Sequence, residues 1–152
     1  MKRFKFSLQT LHEMRQEERE QAERALALAT TELAQAMEAV ETIIREIDKT
    51  IRDYAGKVSS GNVSPYEGET YSRYIASLDK KLEVARARQA EAAQLREQKI
   101  QELIKATTAA EATTRLREQH YQRYVAEVAR EEQNLIDELA TIASSRRLKG
   151  TQ

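Results

Sequence analysis

The side chains best suited to catalysis or metal binding are scarce in this sequence and lie far apart. His12 and His120 are the two histidines, and neither sits in a cluster of cysteine, histidine and carboxylate residues with the spacing of metal ligands. The chain has no cysteine, which excludes a disulfide, a zinc–thiolate centre and a thiol nucleophile. We therefore predict no catalytic residue, no metal site and no cofactor.

Phosphate binding and acid–base catalysis are also disfavoured. The glycine-containing stretch GNVSP, residues 61–65, lacks the GxxxxGK[ST] pattern that cradles nucleotide phosphates. Carboxylates are plentiful, but two paired helices offer no concave, dry pocket that would shift their pKa values toward acid–base work. The sequence therefore predicts a protein that is not an enzyme.

The composition is typical of long helices and coiled coils. Charged residues make up 33% of the 152 residues, and the chain has two Phe and no Trp, which is too little for a thick globular core. The 25 basic and 25 acidic residues are interspersed, so no basic stripe favours nucleic acid as a partner. No apolar run is long enough for a membrane span and no signal-peptide core follows the first residues, so we expect a cytoplasmic protein.

One segment interrupts the helical pattern, between Gly56 and Glu67. Gly56 is expected to end the first helix in a left-handed conformation. Ser64 and Glu67 flank Pro65 with the spacing of a capping box that starts the second helix. We predict an all-α, antiparallel two-helix coiled-coil hairpin that forms a single domain over residues 1–152, with arm one at about 8–55, an apex at 56–67 and arm two at about 65–147.

Heptad spacing predicts the residues by which the arms pack. Ser7 is expected to cap arm one, with Phe6 packing on Leu11, and a stutter is expected near Ala22 to Leu26. Arm two is longer by roughly 30 residues, so its tail, about Arg117 to Ile142, is expected to lack a partner within the chain. The predicted seam of arm one alternates steps of four and three through Leu33, Met37, Val40, Ile44, Ile47, Ile51 and Tyr54.

Aromatic residues concentrate around the apex, and they suggest a binding surface. Tyr74 and Leu78 lie beside the predicted seam of arm two, and Ile43 lies off the predicted seam of arm one. These tyrosines could simply fill the end of the hairpin. The alternative is an exposed partner-binding patch formed by Tyr74 and Leu78, with Ile43 as a weaker member.

Three blocks resemble the flagellar export protein FliJ family: MKRFKFSLQTLHEMR at the start, YSRYIASLDKKLE after the apex, and REEQNLIDELA near the end. The blocks follow the family's order and span nearly the whole chain. One departure is His12, where relatives often carry Leu, which weakens the first heptad. The resemblance implies a component of the flagellar type III export apparatus, an antiparallel coiled coil similar to the stalk subunit of rotary ATPases.

The resemblance also implies partners and a location. In that family the coil promotes assembly of the export ATPase ring, contacts the cytoplasmic domain of the export gate and engages export chaperones, at the inner face of the cell membrane at the flagellar base. The aromatic-xxx-Leu element that matches Tyr74 and Leu78 is associated with gate contact. A stalk of this kind is expected to be a monomer when alone. Two alternatives stay open: a generic coiled-coil adaptor or homo-oligomer that pairs through the arm-two tail, and a chaperone-like relative of prefoldin.

Overall fold

Two long helices account for nearly all of the structure. A computed structural model describes residues 3–150 and is 92% helical. Helix α1 spans Gln9–Ser59, helix α2 spans Pro65–Lys149, and the two helices pack against each other. No strand occurs in the part of the chain that the structure describes. The all-α class and the two-helix hairpin predicted from the sequence are therefore confirmed.

The helices contribute to two compact units, which we call the terminal unit and the apex unit. The terminal unit comprises Met1–Arg19 and Ala106–Gln152, and the apex unit comprises Glu20–Lys105. In the apex unit the rings of Tyr54 and Tyr71 lie 5.1 Å apart, and Arg96 Nε donates to Thr30 Oγ1 at 3.3 Å. The later residue of α1, Tyr54, thus contacts the earlier residue of α2, so the helices of this unit are antiparallel.

The start of α2 follows the predicted capping box. The backbone N–H of Glu67 donates to Ser64 Oγ at 3.2 Å, and the backbone N–H of Ser64 donates to a Glu67 carboxylate oxygen at the same distance. These two bonds satisfy donors that the first helical turn leaves without partners. The capping-box prediction is confirmed, because α2 begins at Pro65.

The predicted end of the first helix was wrong. Helix α1 continues through Gly56 to Ser59, and Gly61 is the glycine with a positive φ, at 73°. Asn62 N–H donates to the carbonyl of Lys57 at 3.3 Å and Gly61 N–H to the carbonyl of Val58 at 3.1 Å. This pair of bonds is the Schellman motif, with Gly61 at C′. The sequence offered two glycines near the break, and the motif uses the second.

The start of α1 also differs from the prediction. The N–H of His12 donates to the carbonyl of Leu8 at 2.9 Å, so Leu8, and not Ser7, occupies the N-cap position. Phe6 is buried, and its ring lies 5.4 Å from the ring of His120 and 6.4 Å from that of His12. Phe6 therefore anchors the segment before α1 on helix α2 of the terminal unit.

The face of α1 that packs in the apex unit is rotated from the predicted seam. Met37, Ile44 and Ile51, which were expected inside, are exposed by 42% to 49%. The predicted row continues from Leu33 to Met37, whereas the observed row continues from Leu33 to Ala36. The sequence could not distinguish them, because a step of four and a step of three are both compatible with a heptad. No stutter interrupts the steps from Ala22 to Leu33. The buried and half-buried residues on this face are Ala22, Leu26, Ala29, Leu33, Ala36, Val40, Ile43, Ile47, Thr50 and Tyr54.

Small residues line this seam, and they explain why the pattern was hard to recognise. Thr50 is buried, and its hydroxyl donates to the carbonyl of Glu46 at 2.7 Å, which satisfies the polar group within its own helix. On α2 the row of buried and half-buried residues runs through Tyr71, Ile75, Leu78, Leu82 and Ala85. The core of the apex unit is thus a single row of contacts along each helix.

Candidate partner-binding surfaces

Tyr74 lies at the edge of the apex-unit seam, and its ring remains 43% exposed. Its hydroxyl donates a hydrogen bond to a carboxylate oxygen of Glu46 at 3.1 Å. This hydrogen bond, with smaller effects of desolvation and of the negative charge on Glu46, raises the pKa of Tyr74 above its usual value of 10.0. The exposed position expected for Tyr74 is confirmed, while its role in binding a partner stays a prediction.

Leu78 does not belong to an exposed patch. The side chain is only 4% exposed and forms part of the α2 seam between Ile75 and Leu82. The prediction that Leu78 is a surface residue was wrong. It assumed that Leu78, one helical turn after Tyr74, lies on the same side of α2 as Tyr74. Steps of three and four run from Ile75 through Leu78, which leaves Tyr74 one position outside the buried row.

Ile43 was expected off the seam, but it lies on it and also reaches a groove between the helices. Its side chain is half-buried. The groove has a volume of about 640 Å³, and its floor is apolar. We call it the apex groove, and it is lined by Ala36, Ala39, Ile43, Val84 and Ala85, with Lys80, Lys81, Arg88, Glu32 and Gln35 at the rim.

The apex groove and Tyr74 share one face of the apex unit. On α2, Lys81 and Arg88 follow Tyr74 at intervals of seven, which places the three side chains in one column of the heptad pattern. On α1, Ala39 precedes Glu46 by seven residues in the facing column. The Tyr74–Glu46 bond therefore lies on the same side of the seam as the groove. The structure brings Tyr74 and Ile43 to this face and places Leu78 in the core beneath it.

The segment before α1 forms a second cluster, in the terminal unit, that sequence reasoning missed. The ring of Phe4 lies 5.3 Å from that of Tyr121 and 5.5 Å from that of Tyr124, and the guanidinium of Arg117 lies 5.9 Å from the centre of the Phe4 ring. Residues of the segment before α1 thus contact the start of the tail, at Arg117 to Tyr124, contrary to the expectation that it has no partner within the chain. The signal in the sequence was Phe4 and Phe6, two apolar residues in a polar segment.

The remainder of the tail matches the expectation. Every residue from 129 to 150 is exposed. Four large apolar side chains between residues 135 and 142 form what we call the tail strip, and they are exposed by 42% to 58%: Leu135, Ile136, Leu139 and Ile142. A row of this kind is typical of a helix face that packs against another protein.

Neither histidine contributes to a metal-binding arrangement. His12 Nδ1 lies 3.2 Å from Thr113 Oγ1, and the His120 ring packs against Phe6. Among residues 3–150, no three His, Cys, Asp or Glu side chains are grouped in a way that could hold a metal ion. Within the same residues, neither helix has an apolar stretch sufficient to cross a bilayer.

Comparison with known proteins gives the family. The family model described as Flagellar FliJ protein matches residues 4–149, which is nearly the full length of the chain. Searches of curated proteins and of solved structures found no significant match. The family match agrees with the two-helix fold and with the three sequence blocks described above. The chain belongs to the FliJ family, whose members are non-catalytic components with a role related to flagellar protein export.

Proposed function

We propose that this protein is the stalk-like coiled coil that promotes assembly of the export ATPase ring and couples the ring to the export gate. The observation that carries the proposal is the tail strip, an apolar row on a helix that has no covering residues in the described chain. A ring of subunits with a central opening can surround such a helix. The family's resemblance to the stalk subunit of rotary ATPases supports this role for residues 129–150.

The proposal assigns the gate to the apex unit. Tyr74 supplies an exposed aromatic anchor, and the apex groove supplies an apolar floor with Lys80, Lys81 and Arg88 at its rim. Aromatic residues next to apolar pockets carry much of the binding energy at protein interfaces. The gate's cytoplasmic domain would contact Tyr74, Ile43 and Val84, while Leu78 holds the face in place from within the core. Contact with the gate would bring the protein to the inner face of the cell membrane.

Export chaperones complete the proposed set of partners, on the strength of the family resemblance. We propose that the chain has a chaperone-escort role at the export apparatus. The ring and the gate are assigned to different surfaces, the tail strip in the terminal unit and the apex groove in the apex unit.

Truncation tests the assignment of the ring. A chain that ends after Val128 loses the tail strip but keeps the α1 residues and the aromatic cluster around Phe4. We expect its helical content per residue to stay unchanged in circular dichroism while stimulation of the export ATPase is lost. Normal stimulation by the truncated chain would show that the ring binds elsewhere.

A pair of tyrosine variants tests the assignment of the gate. Tyr74→Ala should weaken binding to the gate's cytoplasmic domain at least about tenfold, which corresponds to roughly 1.4 kcal/mol. Tyr66→Ala is the matched control, because Tyr66 is also an exposed tyrosine near the apex but lies outside the heptad column that Tyr74 shares with Lys81 and Arg88 of the groove rim. Binding is measured by titration calorimetry, with ATPase stimulation as a second readout that both variants should retain. Equal affinities for the two variants would contradict the proposal.

A further inference from the structure

Helix α1 carries a second apolar row beside the one that packs on α2. This row, which we call the α1 strip, recurs at every seventh position through Met37, Ile44, Ile51 and Val58. Its side chains are exposed by 42% to 51%. The row extends over about 32 Å, or three heptads. Single exposed apolar residues are ordinary on a protein surface, whereas a continuous row of them marks a site of contact.

The α1 strip and the packed row together form the pattern of a helix that has two helical neighbours. Seam residues such as Ala36, Ile43 and Thr50 stand at heptad position d, and the members of the α1 strip stand at position e. A two-helix coil needs apolar residues at positions a and d, whereas a helix inside a bundle is apolar at e or g as well. Because α2 leaves the e column of α1 exposed, the pattern indicates a second helical neighbour for α1.

The α1 strip lies on the side of the seam away from the apex groove. Its members follow position d, whereas Glu46, which bonds Tyr74 on the groove side, precedes the seam residue Ile47 at position g. Positions e and g flank opposite sides of a coiled-coil seam. The side of α2 that faces the strip is polar or small, since its e positions are Ser72, Asp79, Arg86 and Ala93. Helix α2 therefore supplies no large apolar side chain to cover the strip.

Acidic residues border the α1 strip on both helices. Glu41 and Asp48 lie one helical turn from its members on α1. Asp79 lies on the facing side of α2, and Glu83 follows it by one turn. All four side chains are exposed. A partner that carries lysine or arginine beside its own apolar residues is therefore complementary to this border.

The arginines near this border leave its acidic character in place. Arg45 pairs with Glu41 at 3.9 Å, and Arg52 pairs with Asp48 at 3.1 Å, both within α1. Exposed pairs of this kind contribute little, and a carboxylate with two oxygens can accept a further cation from a partner. Arg86 is the one basic residue at the e positions of α2 that face the strip. The border thus favours a basic partner over an acidic one.

We propose that the α1 strip is the docking site for an amphipathic helix of another protein that carries Lys or Arg on both sides of its apolar face. This helix lies along residues 37–58 as the third member of a three-helix coil. Its apolar side chains cover the strip, and its cations meet Asp48 on one side and Asp79 on the other. The inference does not rest on the proposed function, which assigns the ring to the tail strip and the gate to the apex groove.

Binding of synthetic peptides to the full chain tests the docking site. The probe is a helix of about 22 residues, matched to the length of the strip, with leucine at positions a and d and lysine at e and g. A second peptide has glutamate in place of every lysine. Fluorescence anisotropy should show that the lysine peptide binds, and that its affinity falls as salt rises from about 50 to about 500 mM. Absence of binding by the lysine peptide would overturn the proposal.

Two serine variants locate the bound peptide. Ile44→Ser should weaken binding of the lysine peptide at least about tenfold, because it removes an apolar contact from the middle of the strip. Leu28→Ser is the matched control, since Leu28 is an exposed apolar residue of α1 outside the strip. Circular dichroism should show the same helical content for both variants. Equal affinities of the two variants for the lysine peptide would overturn the assigned site.

Charge reversal tests the choice of partner without removing an apolar residue. Asp79→Lys should weaken binding of the lysine peptide and strengthen binding of the glutamate peptide, each by at least about threefold. Asp53→Lys makes the same change at an exposed position g, on the groove side of the seam, and should have a smaller effect on both. Equal effects of the two reversals would overturn the proposed charge complementarity. Sedimentation equilibrium gives a further check: a dimer of the free chain that Ile44→Ser dissociates would show that a second copy occupies the strip, contrary to the proposal.

Discussion

The hydroxyl of Tyr74 on α2 and the carboxylate of Glu46 on α1 form a hydrogen bond of 3.1 Å across the apex unit. Both residues flank the seam, so the bond crosses one open side of the two-helix core. Leu78, one turn along α2 from Tyr74, is buried in that core. The two residues that the sequence grouped in one patch therefore have different roles, which mutations can separate.

The Tyr74–Glu46 bond should make part of the stability depend on alkaline pH. Since the pKa of Tyr74 is raised above 10.0 in the folded protein, the folded state holds the phenolic proton more tightly than the unfolded state does. This contribution is complete below pH 10 and is lost as the pH rises through the raised pKa. The difference in free energy of unfolding between wild type and Tyr74→Phe should shrink between about pH 8 and about pH 11. Urea unfolding at both values measures it, and a constant difference would contradict the assignment.

Leu78→Ala should reduce the free energy of unfolding by about 2 to 4 kcal/mol, because it removes a buried side chain and leaves a cavity in a thin core. Tyr74→Ala removes a side chain that is 43% exposed and should cost less than about 1 kcal/mol. Chemical denaturation monitored by circular dichroism compares the two variants. If Leu78→Ala unfolds like the wild type, Leu78 belongs to the surface after all.

Ile43 and Ile44 are chemically identical neighbours and provide a direct test of the seam. Ile43 is half-buried, whereas Ile44 is 42% exposed. We expect Ile43→Ala to lower the free energy of unfolding by at least about 1 kcal/mol more than Ile44→Ala does. The same urea titration measures both variants, and the reverse order would support the seam expected from the sequence.

Two glycines near the end of α1 should respond to alanine in opposite directions. Gly56 is inside the helix with nothing within 4 Å of an added Cβ, so Gly56→Ala should stabilise the protein by about 0.5 to 1 kcal/mol. Gly61 has a φ of 73°, so Gly61→Ala should destabilise it by about 1 kcal/mol. Thermal unfolding of the two variants checks both signs. A stabilising Gly61→Ala would rule out the Schellman motif.

The sequence by itself determined the features that depend on neighbours along the chain. Ser64, Pro65 and Glu67 specified the start of α2, because a capping box is formed entirely by residues within one turn. The composition and the single break likewise specified two long helices.

Only the tertiary structure decided which side of α1 faces α2, and which segment contacts Arg117 to Tyr124. Ile43 and Ile44 satisfy the heptad equally well, and the choice depends on how closely small residues such as Ala36 and Thr50 let the helices approach. The packing of Phe4 on Tyr121 joins residues more than a hundred positions apart. Contacts of this kind depend on register across the two helices, which no local pattern encodes. The exposure of Tyr74 and the burial of Leu78 follow from the same register.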